Sequence, residues 1–538
     1  MTENENEKMI ETEGMMKRKQ AKTSDDLITE LMRRRTWKYT VFIMCLMVVW
    51  TGGPPAVYLT SFAGIDPTVN DTWTCVSDKC FNLTSKNSSL LDQFPCDITE
   101  KVDGKDQLVF EPSDIEWDLA HTSFSVEFDL YCDVGSRQSQ KTLLSSIYFA
   151  GALTGLIIGG YIFDKIGRKK SAMIGTLVAG ISIFTGTFCH NYLLLLTLRF
   201  FLGVGRYMTS TAMFILTVEL VPTKQRNLVN GWASCLWVLG YPAAAGIGYF
   251  IPDWNYMFLT ASIFYLITTL NVFFCIESPK FYLINNNEQA AKRAFKALAK
   301  LNDMELDLEN VEILDAGSAK QREQSIKQQL MDFARYPTLR LESGLLMSLW
   351  FVVAMFYYGF NFGWGTIVPD LYLGYITAGV GELIAYVLVV PLIATLGRRR
   401  AMMFMFTGAS LSYLLAIPVL NFGGGWSLNS VSCLVGIVFV SGCFAGVYLW
   451  TGEVAPTSHA GLVFCLCSGA ARIGSFLGPY IFNNLAPVTH TAVPLGGLAL
   501  VALLCSLGSF LMVETGTSTI VLTGAEVEER RKKYKYQI

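Results

Sequence analysis

Charged side chains set in apolar surroundings are the residues best placed to do chemistry in this chain. The stretch CSGAARIGSFLGPYIF at 467–482 is apolar enough to lie in a bilayer, yet carries Arg472 near its middle. Arg199 and Arg206 lie in a second such run and Glu382 in a third. A guanidinium presents a planar fork of donors that fits a carboxylate, sulfate or phosphate ester, whereas a carboxylate holds an ammonium. An arginine at a helix centre costs about 2.5–3.5 kcal/mol on insertion scales, so these groups should turn inward to a partner or a cavity. In one reading Glu382 pairs with Arg206 or Arg472 as a structural bridge. In the other, the groups line a path and hold a charged cargo. Two inward guanidiniums against one carboxylate then leave a positive site for an organic anion, or for a zwitterion whose ammonium Glu382 holds.

The elements that position these residues follow from composition. Of 538 residues 52% are hydrophobic and only 16% charged, against about a quarter charged in soluble proteins, so much of the surface meets lipid. A bilayer core about 30 Å thick needs roughly 20 apolar residues per helix. Twelve windows of that size recur, the first at Tyr39–Phe62 and the last at Thr491–Val513. Gly52, Gly53, Pro54 and Pro55 predict a break in the first. Net charge of −2 and scattered basic clusters give no nucleic-acid signature. The chain has no HExxH, GxxxxGK[ST] or GxSxG motif, and no metal, cofactor or enzymatic activity is expected.

Lys and Arg concentrate in alternate loops: Arg33–Arg35, DKIGRKK at 164–170, the 277–340 segment and GRRR at 397–400. These loops belong on the cytoplasmic side, which puts both termini there and the protein, by the secretory route, in the plasma membrane. The 66–141 loop falls outside. It carries glycosylation acceptors at Asn70, Asn82 and Asn87, and Cys75, Cys80, Cys96 and Cys132, which permit two disulfides in three pairings. AAKRAFKALAK at 290–300 reads as an amphipathic helix lying on the cytoplasmic leaflet. The first thirty residues are polar and are expected to be disordered. No sequence feature names a protein partner.

Three motif pairs recur at nearly one offset. DKIGRKK is echoed by TLGRRR, ELVPTKQRN by EVAPTSHAG and ESPK by ETGT, with Gly167/Gly397, Glu219/Glu453 and Glu277/Glu514 lying 230, 234 and 237 residues apart. The expected architecture is all-α, twelve transmembrane helices in two pseudo-symmetric six-helix bundles. Its parts are an N-terminal tail (1–37), a first bundle with its loop (38–276), a linker (277–340), a second bundle (341–514) and a C-terminal tail (515–538). Asp164 at a helix end is placed to meet the positive N-terminus of a neighbouring helix, Gly167 permits the tight turn and Arg168 can pair with Glu219. Arg226 and Glu453 complete the candidate gate. The second copy has Ala394 where Asp164 stands and Ala460 beside His459 where Arg226 stands, so gating contacts there are expected to be weaker or differently made.

These motifs resemble the major facilitator superfamily. WDLAHTSFSVEFDLYC at 117–132, ESPKFYL at 277–283, YYGFNF at 357–362 and DLYLGYITAGVGELIAY at 370–386 narrow the resemblance to its organic cation, anion and zwitterion transporters. The resemblance implies alternating access, with two halves rocking around a central site in contact with lipid outside and a small organic ion within. It implies that Glu382 and Arg472 touch substrate, with Arg472 favouring anions or zwitterions, that Arg206 matches a basic position of some relatives, and that Phe214, Trp237 and Tyr357 face the cavity. An organic cation uniporter served by Glu382, or a transporter-like sensor that moves no cargo, are the alternatives. Glu382 is the one mid-membrane carboxylate found in the sequence, so facilitated diffusion or exchange is expected over proton symport.

Overall fold

The computed structural model describes residues 20–33, 36–65, 72–75, 99–102, 105–108, 115–118, 122–131, 137–222, 225–306, 308, 311–313, 326–363, 370–421, 426–456, 459–489, 492–515 and 525–529. The chain opens with β1 (Gln20–Lys22), α1 (Ser24–Arg33), α2 (Trp37–Leu46) and α3 (Gly53–Ala63). The long loop holds β2 (Thr72–Cys75), β3 (Thr99–Val102), β4 (Lys105–Leu108), β5 (Ile115–Asp118) and α4 (Phe124–Glu127). The first half continues as α5 (Arg137–Ile166), α6 (Arg168–Gly186), α7 (Tyr192–Glu219), α8 (Arg226–Phe250), α9 (Trp254–Thr269) and α10 (Asn271–Phe274). The linker carries α11 (Pro279–Ile284), α12 (Glu288–Leu301), β6 (Val311–Ile313) and α13 (Ile326–Arg335). The second half is α14 (Pro337–Phe362), α15 (Leu371–Leu396), α16 (Arg398–Asn421), α17 (Trp426–Val454), α18 (Ala460–Thr489) and α19 (Ala492–Phe510).

These elements make twelve spans: α2 with α3, α5, α6, α7, α8, α9 with α10, and α14 to α19. Among the described residues nine stretches are individually long and apolar enough to cross a membrane; α6, α16 and the shorter α19 complete the set. The first span breaks where its sequence demands. The helix ends at Leu46, a 3₁₀ turn covers Val48–Trp50, and α3 restarts with Pro54 and Pro55 in its first turn, where their missing N–H groups leave no bond unmade.

Lipid supplies no hydrophobic drive for helices to associate, so close approach at small residues holds each half together. A Cβ on Gly151 of α5 would stand 1.9 Å from the Phe200 carbonyl of α7, and one on Gly474 of α18 would stand 2.2 Å from the Phe351 carbonyl of α14. Between the halves, α5 packs on α18 and α8 on α15. On the face opposite the basic loops this seam is joined. Gln138 donates to the Asn483 carbonyl at 3.3 Å and Ser139 to Asn484 Oδ1 at 2.8 Å. Phe62 stacks on Tyr372 at 5.3 Å, with Tyr249 edge-on at 5.5 Å. Toward the basic face, Cβ positions on Gly160 of α5, Gly231 of α8 and Gly461 of α18 meet nothing within 4 Å.

The basic face carries the same constellation in both halves. Gly167 and Gly397 adopt φ of +98° and +81° between consecutive helices, the left-handed region that glycine enters at little cost. Glu277 accepts from the amides of Arg168 and Lys169 at 3.1 and 3.0 Å, and Glu514 from those of Arg398 and Arg399 at 2.9 and 3.0 Å. Each carboxylate thus satisfies orphan donors at the positive end of a helix. Burial pushes the Glu277 carboxyl up from its usual range, against the amides that favour its charged form. Arg168 donates to Glu219 at 3.1 Å, and Arg398 makes three contacts to Glu453 at 2.7–3.2 Å.

Several expectations need correction. Asp164 is exposed and among the described residues meets only the side chain of Arg168, at 3.4 Å, while the amides at the start of that helix donate to Glu277. Of the two alternatives for the second half, its contacts are differently made and not weaker: Arg398 supplies the fork and Ala394 removes only an exposed partner. The Arg168–Glu219 contact lies within the first half and the Arg398–Glu453 contact within the second. Arg226 faces Asp25 at 3.8 Å. The first thirty residues are not wholly disordered: β1 pairs in parallel with β6, and α1 buries Leu27, Ile28 and Leu31. The apolar face of α12, with Ala291, Phe295 and Leu298, is covered by protein rather than by a leaflet, packing with α1 and α2.

In the long loop β2 pairs with β5 and β3 with β4, both antiparallel. Cys75 ends β2 opposite Ile115. Asn70, Asn82, Asn87, Cys80, Cys96 and Cys132 lie outside the described residues.

A Cβ at position 167 would lie 2.3 Å from Glu277 Oε2 as well as straining the backbone. Gly167→Val should therefore cost about 1–3 kcal/mol and lower the melting temperature in detergent, whereas Gly160→Val should leave it unchanged. Equal melting of both variants would refute this account of the turn.

Candidate functional site

The six residues singled out as substrate contacts come together in one central zone. Arg206 of α7 is 2% exposed, and its guanidinium lies 5.8 Å from the Trp50 ring. Trp50 meets Phe214 edge-on at 6.3 Å and Trp237 at 6.5 Å. The break in the first span makes room for this group. A Cβ on Gly53 would stand 2.3 Å from the Trp237 ring and 2.6 Å from an Arg206 nitrogen.

From Trp237 a chain of hydrogen bonds crosses between the halves. The Trp237 indole donates to Tyr357 Oη at 2.9 Å, and Tyr357 donates to Glu382 Oε2 at 2.9 Å. Tyr241 and Tyr357 share a hydroxyl contact of 2.6 Å, and Tyr58 approaches Tyr241 at 3.4 Å. Tyr386, one turn along α15, donates to Glu382 Oε1 at 2.6 Å. Both oxygens of this buried carboxylate are therefore satisfied by phenols. Glu382 forms no ion pair with Arg206 or Arg472 among the described residues, contrary to the structural-bridge reading.

Arg472 of α18 is 5% exposed and reaches across to the first half. It donates to the Tyr207 hydroxyl, with its guanidinium 4.4 Å from the centre of that ring. Tyr358 and Tyr448 also lie within electrostatic range. The Nε of Arg472 and that of Arg206 are both buried without a hydrogen-bond partner among the described residues. Arg199 differs: its three nitrogens donate to the carbonyls of Leu144, Ala56 and Val57 at 3.3, 2.8 and 3.1 Å. A buried donor left unmade costs about 1–3 kcal/mol, and the two unsaturated guanidiniums hold capacity that Arg199 has spent on the backbone.

Residue-by-residue reading missed the phenols. Tyr58, Tyr207, Tyr241, Tyr358, Tyr386 and Tyr448 looked like packing in a chain that is 13% aromatic. Tyr386 alone had a legible signal, its i+4 spacing from Glu382, which puts both on one helical face. The others depend on neighbours distant in sequence.

A sequence profile for the Major Facilitator Superfamily matches residues 120–479. Solute carrier family 22 member 3 of Mus musculus is 26% identical over 496 residues, spanning 89% of this chain and 87% of that one. Solute carrier family 22 member 6 of Oryctolagus cuniculus is 27% identical, spanning 78% and 77%. Organic cation/carnitine transporter 4 of Arabidopsis thaliana is 24% identical, spanning 75% and 77%. Among solved structures, a partially occluded inward-open conformation of the xylose transporter XylE from E. coli superimposes with a TM-score of 0.60, covering 89% of this chain and 99% of that one. At 14% identity that likeness speaks for the fold alone. With the profile covering well over half its length and twelve spans arranged as two bundles, the protein is a membrane transporter belonging to the Major Facilitator Superfamily.

Proposed function

We propose that this transporter moves small organic anions or zwitterions by alternating access, with the central zone as the substrate site. The observation that carries the reading is the pair of buried guanidiniums, Arg206 and Arg472, each with an unpartnered Nε and neither bridged to Glu382. A carboxylate or sulfate entering the zone completes the donor set of Arg472, and the charge-assisted bonds repay its burial. Glu382, flanked by Tyr357, Tyr386 and Tyr241, takes the ammonium end of a zwitterion by exchanging phenol donors for the cation. One relative is named an organic cation/carnitine transporter, which covers a zwitterion and also the cations of the second reading.

The phenol cage around Glu382 also favours a second reading, a purely cationic amine bound there with Arg472 as a bystander. In either case the paired constellations at Arg168–Glu219 and Arg398–Glu453 keep each half rigid while the seam alternates. The rigid halves, and one mid-membrane carboxylate already satisfied by phenols, fit facilitated diffusion or exchange.

Uptake into proteoliposomes of carnitine, benzoate and tetraethylammonium separates these readings. Arg472→Asp should lower carnitine and benzoate uptake by about tenfold or more, from the roughly 1.5–3 kcal/mol of a charged hydrogen bond, and spare or raise tetraethylammonium uptake. Unchanged profiles for all three probes would remove Arg472 from the site. Glu382→Gln should depress carnitine uptake more than benzoate uptake; equal losses would leave the carboxylate no part in choosing the ammonium end.

A further inference from the structure

Residues 20–33 are attached to the first half and the linker at several points. Gln20 pairs with Val311 and Lys22 with Ile313. Leu27, Ile28 and Leu31 share a buried cluster with Phe295 and Leu298 of α12. Thr23 and Asp26 cap α1 reciprocally, Thr23 Oγ1 donating to the carboxylate at 2.7 Å and accepting from the Asp26 amide at 3.1 Å. At the edge of this docked segment Asp25 lies 2.8 Å from Lys280 and 3.8 Å from Arg226.

The position of Arg226 gives these contacts a consequence. It is the first residue of α8, a helix that packs against α15 at the seam. Tyr241 of α8 sits against Gly379 of α15, and Ser234 lies near Tyr386. Beyond that last contact α8 runs eight residues to Arg226, about 12 Å, and α15 runs ten residues to Leu396, about 15 Å, where Gly397 turns the chain into Arg398 at the start of α16. Both ends lie toward the basic face, and positive charge follows each: Arg226 opens α8, and Arg398–Arg400 open α16 after α15. Arg398 is matched by Glu453, but Arg400 has no acidic partner among the described residues. Alternation requires these ends to approach, and like charges of unequal pairing resist it.

We infer that the docked tail segment is a counter-charge built into the first half. Asp25 offsets part of the positive charge of Arg226 and Lys280 and so lowers the electrostatic cost of closing the basic face against Arg398–Arg400, at the start of α16 just past the end of α15. The segment is thereby part of the moving machinery rather than a passive tail. The inference rests on the alternation in the proposed function and on none of its cargo assignments.

The test reads how often the opposite seam opens, without any substrate. In the full chain carrying Ser139→Cys, a membrane-impermeant maleimide on the far side of proteoliposomes labels position 139 when the seam parts, quantified by mass spectrometry. Adding Asp25→Asn should slow labelling about twofold to fivefold at about 20 mM salt, the scale of a half-exposed charge contact, and the difference should vanish at about 500 mM. Asp25→Asn with Lys280→Gln restores the charge balance without the bridge and should recover the parent rate. Unchanged or faster labelling with Asp25→Asn, or a double variant as slow as the single one, overturns the inference. Labelling that is absent in the parent and in all variants would defeat alternation itself, and the counter-charge with it.

Discussion

A charge inside a bilayer must be solvated by the protein that carries it, and the interior of this molecule is organised around meeting that demand in three ways. Arg199 is satisfied by backbone carbonyls and is locked into the first half. Glu382 is satisfied by phenol hydroxyls drawn from its own helix and from α14, with Tyr241 of the first half one bond further on. Arg206 and Arg472 are satisfied only in part. Among the four mid-membrane charges Arg199, Arg206, Arg472 and Glu382, all buried, it is saturation and not burial that differs.

The phenols solve a further problem. A direct ion pair between Arg472 and Glu382 would cross no seam, as both belong to the second half, and would neutralise the zone. Instead Arg472 donates to Tyr207 and the Glu382 network reaches Trp237 and Tyr241, so both charges are tied to the first half by neutral donors and acceptors. The neutral bonds at Tyr357 are worth about 0.5–1.5 kcal/mol each and the charge-assisted Arg472–Tyr207 bond about 1.5–3 kcal/mol, small enough to be exchanged for a charged ligand.

At the basic face the opposite economy holds, because water and salt weaken each contact and the charges there are fixed by helix ends. Glu277 and Glu514 act on backbone amides, so their effect does not depend on the loop's side chains. This is why the second half tolerates Ala394 where the first has Asp164: the turn is made by Gly397 and capped by Glu514, and the lost side chain was an exposed partner of one arginine.

Spans, halves, the broken first helix and the paired glycine turns were all legible in the chain, because each depends on local rules: apolar length, proline's missing donor, the left-handed backbone that glycine enters. Repetition of DKIGRKK and TLGRRR, and of Glu219 and Glu453, made the duplication visible without coordinates. The buried charges were also evident from sequence, since a lone arginine in an apolar run is conspicuous on grounds of cost alone. Whether each had a partner was not. That Arg199 meets carbonyls 55 and 143 residues away, that Asp25 reaches Lys280, and that the carboxylate at the helix start is Glu277 rather than Asp164 are facts of long-range assembly. Local sequence determines which groups enter the membrane and what they need; only the packing of distant helices decides which needs are met and which are left for something else to fill.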